Sequence, residues 1–320
     1  MVILMKRWMK KNRSKGLLSL FFLFIFSGCA SKMPVTWEAR VLNHQPNEVD
    51  LVYNEYGNNA NKTLLFLHGF GESRYTWRFI VGELSKKYHI VIVDLKGFGE
   101  SPKNEDDSYS VYDHAHIING FIIKHHLNNL TIVGRSFGGG IALVLVLMQE
   151  ENLLQKKRIE GLILIDSMSY QQQLPSMLKT LNQPIIGYLG IHLLSNEWMA
   201  KEAYRYAFTN DSLISKDSVD YSVKMLSLPN AKYAYLQTVN TLIPDDIATM
   251  EKKYSTITLP TLLLWGRDDV SIRLDKAYRL HRALPHNKLI ILRGVGHMPQ
   301  EEVPLKVIKA IDDFMETSLK

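Results

Sequence analysis

The sequence predicts an α/β fold, in which a mostly parallel central sheet is flanked by helices and interrupted by one long helical insertion. Short runs that are apolar on both faces, such as residues 62–67 and 88–94, alternate with helical segments, as in a parallel sheet covered on both sides. This alternation stops between residues 167 and 256 and then resumes. In addition, a β-favouring run enters a glycine-rich turn at Ser136 and leaves it as a helix.

Composition allows one large domain and argues against nucleic-acid binding. The chain has 320 residues, of which 46% are hydrophobic, enough for a sizeable core. Its formal net charge of +6 belongs entirely to residues 1–28, which contain six basic residues and no acidic one. Because the rest of the chain is balanced in charge, it lacks the excess of basic residues that nucleic-acid binding requires.

The basic start of the chain precedes an apolar run over residues 17–26. At about ten residues, this run is too short to span a bilayer and has the length of a signal-peptide apolar region. It ends in Phe26-Ser27-Gly28-Cys29, which resembles the lipobox of bacterial lipoproteins, with Phe26 where leucine is usual. The resemblance implies that residues 1–28 are a lipoprotein signal peptide and that Cys29 carries acyl chains such as palmitate.

Two other interpretations of this leader stay open, a plain secretory signal with an incidental cysteine and a transmembrane anchor. Ala30 and Ser31 follow Cys29 where some lipoproteins have aspartate, so the resemblance favours the outer membrane if the cell is Gram-negative. Cys29 is the only cysteine, so an intrachain disulfide is excluded and the chain offers no candidate for a catalytic thiol.

The remaining elements are predicted in chain order. After a polar tether over residues 29–34, residues 35–41 and 49–56 alternate as the two strands of a hairpin-like opening. Later strands are predicted at residues 62–67, 88–94, 130–133, 159–166, 259–266 and 288–293. Helices are predicted near residues 75–87, 111–126, 141–148, 272–284 and 303–319.

The segment 167–256 contains helix-like stretches rich in Leu, Tyr and Met, separated by prolines, and has no strand signal. Ordinary loops rarely exceed about fifteen residues, so a segment of this length predicts an inserted helical cap. The core is then divided into residues 35–166 and 257–320.

The turn around Ser136 has the pattern G-x-S-x-G, with Gly134 and Gly138 on either side of the serine. Such a turn raises the serine hydroxyl above the end of the sheet and places the next N–H at a helix start, where a developing negative charge is favoured. Taken alone, the pentapeptide is equally consistent with a structural turn that contains an incidental serine.

Further motifs follow other predicted strands. They are His68-Gly69-Phe70-Gly71, Asp94-x-x-Gly97-x-Gly99-x-Ser101, Trp265-Gly266-Arg267-Asp268-Asp269 and Gly296-His297-Met298-Pro299. With the turn at Ser136, these motifs in this order resemble the α/β-hydrolase superfamily with a cap domain, over residues 35–320. The resemblance implies the α/β-hydrolase fold and a serine hydrolase of the carboxylesterase or lipase kind. The sequence has no apparent metal-ligand cluster or phosphate-binding loop, so no metal or other cofactor is predicted.

The catalytic prediction is a triad of Ser136, Asp269 and His297. A serine hydroxyl needs a base to become a nucleophile, and histidine has a suitable pKa. The chain order Ser, Asp, His is the order of this superfamily. The resemblance favours Asp269 as the acid because it lies three residues after Gly266, while Asp268 and Asp166 remain alternatives.

The oxyanion hole is predicted from backbone positions. Its donors are the N–H of Phe137, directly after the nucleophile, and the N–H of Phe70, in the loop after strand 62–67. The resemblance assigns structural roles to His68 and to the turn at Asp94. Arg205 is expected on a helix surface, with binding of an acidic substrate group as the alternative.

A serine at the elbow excludes the related dehalogenases and epoxide hydrolases, which use aspartate there. Hydrolysis of carboxylic esters is therefore the predicted activity, on a small-molecule ester or a lipid, with membrane attachment through Cys29. Alternatives are a lipase or lysophospholipase, a carbon–carbon bond hydrolase, and a non-catalytic binding lipoprotein. The carbon–carbon hydrolases commonly have tryptophan after the catalytic histidine, where this chain has Met298.

Overall fold

The computed structural model describes residues 36–319 and is built on one seven-stranded sheet. The strands are β1 (Tyr53–Tyr56), β2 (Thr63–Leu67), β3 (His89–Val93), β4 (Leu130–Arg135), β5 (Ile159–Ile165), β6 (Thr261–Gly266) and β7 (Asn287–Leu292). Their order is β1-β3-β2-β4-β5-β6-β7, and only the β1–β3 pair is antiparallel. The predicted α/β fold with a mostly parallel sheet is confirmed.

Helices cover the sheet and fill the insertion. They are α1 (Trp37–Asn43), α2 (Val81–Leu84), α3 (Val111–Lys124), α4 (Phe137–Glu150), α5 (Ser176–Leu181), α6 (Pro184–Leu193), α7 (Asn196–Ala207), α8 (Lys216–Leu226), α9 (Ala231–Thr241), α10 (Ile247–Glu251), α11 (Leu274–Ala283), α12 (Pro299–Glu302) and α13 (Pro304–Ser318). Short 3₁₀ turns lie at Arg74–Trp77, Asp211–Leu213 and Tyr254–Thr256.

The central strands are buried on both faces, as their continuous apolar runs require. Side chains alternate between two hydrophobic clusters, because successive residues of a strand point to opposite faces. Leu65 and Ile132 join the cluster on one face, and Leu64 and Val133 join the cluster on the other. The sheet therefore holds the loops at the carboxyl ends of its parallel strands on a rigid base.

The hairpin-like opening is wrong. Residues 37–43 form helix α1, because Trp37 and Val41, four residues apart, are buried on one helical face. The hydroxyl of Thr36 caps this helix by accepting the Ala39 N–H at 3.2 Å. The second predicted strand shortens to β1, which pairs with β3.

The helix predicted over residues 75–87 is also interrupted. The structure has the 3₁₀ turn Arg74–Trp77 followed by the four-residue helix α2. Both elements are anchored by buried apolar residues, of which Trp77 packs edge-on against Phe66 at a ring-centroid distance of 5.0 Å. The predicted single helix is therefore divided into two short elements, each held by its own tertiary contacts.

The insertion at residues 167–256 contains α5 to α10 and no strand. Strands β5 and β6, which flank it in the sequence, are hydrogen-bonded neighbours in the sheet. The chain therefore leaves the sheet after β5 and returns beside it, and the division into core and cap at residues 166 and 257 stays a prediction.

The predicted signal peptide, the tether and Cys29 lie outside the described residues. Within residues 36–319, no helix combines the length and apolarity that crossing a membrane requires.

Candidate active site

Ser136 lies between β4 and α4 in a backbone conformation that is rare for a residue with a side chain, with φ of 51° and ψ of −118°. Two glycines permit this sharp turn. A Cβ on Gly134 would lie 2.6 Å from the Gly138 carbonyl oxygen, and a Cβ on Gly138 would lie 2.3 Å from the Leu67 carbonyl oxygen. The turn predicted from the glycine spacing is present, and it presents Ser136 Oγ at the carboxyl end of the sheet.

His297 follows β7 and reaches the serine from the other side. Its Nε2 lies 3.0 Å from Ser136 Oγ, and its Nδ1 lies 2.7 Å from Asp269 Oδ2. The carboxylate oxygen accepts from Nδ1–H, which leaves Nε2 to accept the serine O–H. All three side chains are buried, although 161 residues separate the serine from the histidine.

Only Asp269 of the two adjacent carboxylates faces the histidine. Asp268 is exposed, whereas Asp269 is buried. The second oxygen of Asp269, Oδ1, accepts the backbone N–H groups of Ser271 at 2.7 Å and Ile272 at 3.0 Å. These bonds hold the carboxylate in place beside the imidazole.

The third acidic candidate, Asp166, is fully buried next to the same pair and has a positive φ of 43°. Its Oδ1 accepts the Gly266 N–H at 2.9 Å, and its Oδ2 has no partner among the described residues. Burial raises the pKa of the Asp166 carboxyl well above its usual range, and the nearby Asp269 charge raises this pKa further. Because its pKa is raised, the Asp166 carboxyl keeps its proton to a higher pH than an exposed aspartate does.

Within the described residues, Asp166, Asp269 and His297 are also the one acidic and histidine cluster tight enough to ligate a metal, with candidate atoms within 4.8 Å of one another. The hydrogen bond between His297 Nδ1 and Asp269 Oδ2 already occupies two of these atoms. This hydrogen bond is sufficient to explain why the aspartate and histidine side chains lie so close together.

Replacing Asp166 by asparagine tests this raised pKa. The pKa of Asp166 is higher in the folded protein than in the unfolded chain, where it is about 4, so Asp166 lowers the stability of the fold as the pH rises above about 4. We expect Asp166→Asn to match the wild type in melting temperature near pH 3.5 and to exceed it at higher pH, because asparagine has no proton to release. A lower melting temperature at pH 7 would show that an ionised carboxylate is needed.

The loop after β2 approaches Ser136 closely. A Cβ on Gly69 would lie 2.4 Å from Arg135 Nη1 and 3.2 Å from Ser136 Cβ, so a larger residue here would displace the arginine and crowd the serine. The side chain of His68 holds the loop, because its Nδ1–H donates to the Gly69 carbonyl at 2.8 Å and its Nε2 accepts the Leu95 N–H at 2.9 Å. Burial lowers the pKa of His68, which fits the expected structural role rather than that of a second base.

The two predicted oxyanion donors are unengaged. Within residues 36–319, neither the N–H of Phe70 nor the N–H of Phe137 donates a hydrogen bond to another group. Phe137 is the first residue of α4, whose N-terminal dipole favours negative charge.

The turn at Asp94 has the structural role that was expected. The buried carboxylate of Asp94 accepts the backbone N–H groups of Arg74 and Glu100 and so holds the turn in place.

Comparison with known proteins establishes the family. A family model for the alpha/beta hydrolase fold matches residues 62–304, most of the chain. The chain belongs to the α/β-hydrolase family. It is accordingly an enzyme of the hydrolase class.

Relatives of this α/β-hydrolase include lipases and esterases. It is 27% identical over 277 residues to the uncharacterized hydrolase YugF of Bacillus subtilis, covering 84% of this chain and 95% of YugF. It is 26% identical over 308 residues to Lipase 1 of Psychrobacter immobilis, covering 88% of this chain and 92% of the lipase. A thermophilic esterase from Thermogutta terrifontis has the same fold, with a TM-score of 0.71, 21% identity and coverage of 86% and 96% of the two chains.

In this α/β-hydrolase, Arg135 links His297 to the loop after β2. Its buried guanidinium donates to the His297 carbonyl oxygen from Nε at 3.0 Å and from Nη2 at 2.8 Å. Its Nη1 forms an ion pair with Glu72 at 2.5 Å, and Glu72 also accepts the Gly69 N–H at 3.1 Å. In the sequence, Arg135 occupies a variable position of the G-x-S-x-G pattern. The signal that could have marked it is a charged residue at the end of a strand whose other residues are buried.

We expect Arg135→Lys to lower kcat by about 10- to 100-fold with little change in KM. A lysine cannot make the forked contact to His297 and the ion pair with Glu72 together, and small misplacements of a catalytic group have effects of this size. Steady-state kinetics on a p-nitrophenyl ester measures the effect, with Arg158→Lys, distant from the site, as the matched control. An unchanged kcat would remove Arg135 from any positioning role.

A cavity of about 610 Å³ opens over Ser136 and His297. It falls within the usual size of small-molecule sites. Residues of the insertion line most of it, including Leu178, Met199 and Leu226. Arg205 lies at its edge with an exposed side chain that donates to Glu202 at 2.7 Å, as expected for a helix-surface residue.

Proposed function

We propose that this α/β-hydrolase cleaves carboxylic esters with Ser136 as nucleophile, His297 as base and Asp269 as the orienting acid. The observation that carries the proposal is the continuous hydrogen-bonded chain from Ser136 Oγ to His297 at 3.0 Å and from His297 to Asp269 at 2.7 Å. A buried Asp–His–Ser chain of this geometry is suited to nucleophilic acyl transfer.

The reaction follows from this geometry. His297 Nε2 takes the proton of Ser136 as Oγ attacks the ester carbonyl carbon, and Asp269 stabilises the imidazolium. The oxyanion accepts hydrogen bonds from the N–H groups of Phe70 and Phe137. His297 then protonates the departing alcohol, and water, activated by His297, attacks the acyl-enzyme and releases the acid.

The cavity favours an acyl chain over a charged substrate. Its lining is largely apolar, with Leu178, Met199 and Leu226 contributed by the insertion. Apart from His297, the basic residues that line it in the described chain are Arg135 and Arg205, and both are paired with glutamates. This pairing argues against the ring-cleavage substrates of carbon–carbon hydrolases, which carry a carboxylate, and supports an ester of a fatty acid, including lipids.

We also propose that the mature enzyme starts at lipidated Cys29 and is exported and anchored to a bacterial membrane, the outer membrane if the cell is Gram-negative. The support is the basic leader, its short apolar run and the Phe26-Ser27-Gly28-Cys29 sequence. Metabolic labelling with a palmitate analogue tests it, with Cys29→Ser expected to remove the label.

The chain-length preference tests the substrate proposal. With p-nitrophenyl esters, we expect higher kcat/KM for octanoyl and longer acyl groups than for acetyl, because each buried methylene stabilises the bound substrate by about 0.8 kcal/mol. Leu226→Trp should fill part of the cavity and shift the preference to shorter chains while acetyl-ester turnover is retained. Preference for acetyl would contradict a fatty-acyl site, and no ester turnover by folded protein would favour the carbon–carbon hydrolase or binding-module alternative.

A further inference from the structure

Helix α6 presents most of its large apolar side chains to solvent. Five of its residues have exposed fractions between 52% and 83%, namely Ile185, Ile186, Tyr188, Leu189 and Leu193. The helix contains no Asp, Glu, Lys or Arg. A surface helix of a soluble domain normally shows the opposite arrangement, with polar residues outward.

The packing of α6 fixes this orientation. Gly187 and Ile191, four residues apart, form the buried side. A Cβ on Gly187 would lie 2.0 Å from the carbonyl oxygen of Leu181, so only glycine allows the two helices to approach this closely. Rotation of α6 to bury its large side chains would lose this contact.

The preceding helix provides a contrast within the same insertion. In α5, Leu178 and Leu181 are buried, while Ser176, Lys179 and Thr180 are exposed. Its polar residues face water as in an ordinary surface helix. The inverted arrangement is therefore specific to α6 and is not a general property of these helices.

We propose that the exposed face of α6 docks on the surface of a lipid bilayer. Residues 167–196 contain no aspartate or glutamate, so no carboxylate in this stretch opposes anionic headgroups. Tyr188 and the nearby Trp198, which is 44% exposed, are of the aromatic types enriched at membrane interfaces.

The size of the face favours a bilayer over a protein partner. Ten residues of helix extend only about 15 Å. One face of such a helix offers much less than the ~800 Å² that each partner of a stable protein interface buries. An interfacial helix needs no shape-matched partner, since it lies in the membrane plane with its apolar face about 5–10 Å deep.

The neighbouring elements connect this face to the site. Helices α5 and α7, directly before and after α6, contribute Leu178 and Met199 to the cavity over Ser136. Substrate drawn from a bilayer would thus arrive beside the cavity lining. This step rests on the proposed ester hydrolysis, while the docking of α6 does not.

The start of the described chain adds a second connection. Helix α1 forms ion pairs with the insertion, from Arg40 to Asp246 at 3.1 Å and from Glu38 to Lys253 at 2.6 Å. The first helix of the described chain thus lies against the insertion that carries α6.

Binding to vesicles of phosphatidylethanolamine and phosphatidylglycerol tests the proposal. Residues 30–320 lack Cys29 but include the complete sheet and both hydrophobic clusters, so the described fold is retained. We expect this protein to sediment with the vesicles and the double variant Ile185→Ser/Leu193→Ser to bind at least tenfold more weakly. Leu305→Ser, which removes a 78% exposed leucine from α13, is the matched control and should bind as the wild type does.

Two further readouts keep this test separate from catalysis. Ser136→Ala should bind vesicles as the wild type does, and Ile185→Ser/Leu193→Ser should keep its turnover of a soluble short-chain ester. Absence of wild-type binding, or equal binding by the double variant, would overturn the proposal. A dimer in solution that the double variant disperses would assign the face to a second copy of the chain and would also overturn it.

Discussion

Ser136→Ala is expected to lower kcat for ester hydrolysis by about 10⁴-fold or more, the size of effect seen when a catalytic serine is removed from a triad. The variant keeps the fold, since alanine is smaller than serine and the strained turn depends on Gly134 and Gly138 rather than on the hydroxyl. Kinetics on a p-nitrophenyl ester measures the loss, and a fluorophosphonate probe followed by mass spectrometry should label Ser136 in the wild type only.

Ser169→Ala is the matched control for this loss. Ser169 is also buried, but its hydroxyl donates only to the Ser167 carbonyl oxygen at 3.3 Å and has no contact with His297. Its activity should stay within a few-fold of the wild type. Substantial ester turnover by Ser136→Ala would rule out an acyl-enzyme formed on Ser136.

Asp269→Asn is expected to lower kcat by about 10⁴-fold, because an amide cannot stabilise the imidazolium and favours the wrong imidazole tautomer. The hydrogen bond from His297 Nδ1 to Asp269 Oδ2, 2.7 Å long, is the contact that changes. The loss should appear mainly in kcat, since Asp269 does not line the substrate cavity.

The adjacent carboxylate provides a control that differs by one position. Asp268 is exposed and makes no hydrogen bond to His297, so Asp268→Asn should leave kcat within about twofold. If the two variants lose activity equally, the assignment of Asp269 is wrong. If Asp166→Asn alone abolishes activity, the acid is the residue after β5.

The helical conformation of α1 and the contacts of Arg135 are two features that the sequence did not predict. Residues 35–41 alternate well enough for a strand, but Trp37 and Val41 also have the spacing of a helical face, and only the surface available for packing decided between the two periods. Arg135 appears in the sequence as a variable residue of a short motif. Its role depends on His297, 162 positions away.

Local chemistry determined the parts that the sequence predicted well. The strands follow from continuous apolar runs, and the turn at Ser136 follows from two glycines whose missing side chains permit close backbone contacts. The family motifs appear in order along the chain, so the α/β-hydrolase fold and the hydrolase class were accessible without coordinates.

Tertiary structure decided which of several equivalent side chains meet. Asp268 and Asp269 are neighbours with the same chemistry, and only the burial of one against His297 distinguishes them. Similarly, an apolar helix is expected to be buried, and sequence alone gave no reason to place the large side chains of α6 in solvent. Burial and contact depend on distant segments. The contact between Asp269 and His297 and the exposed face of α6 therefore appear only when the whole chain is folded.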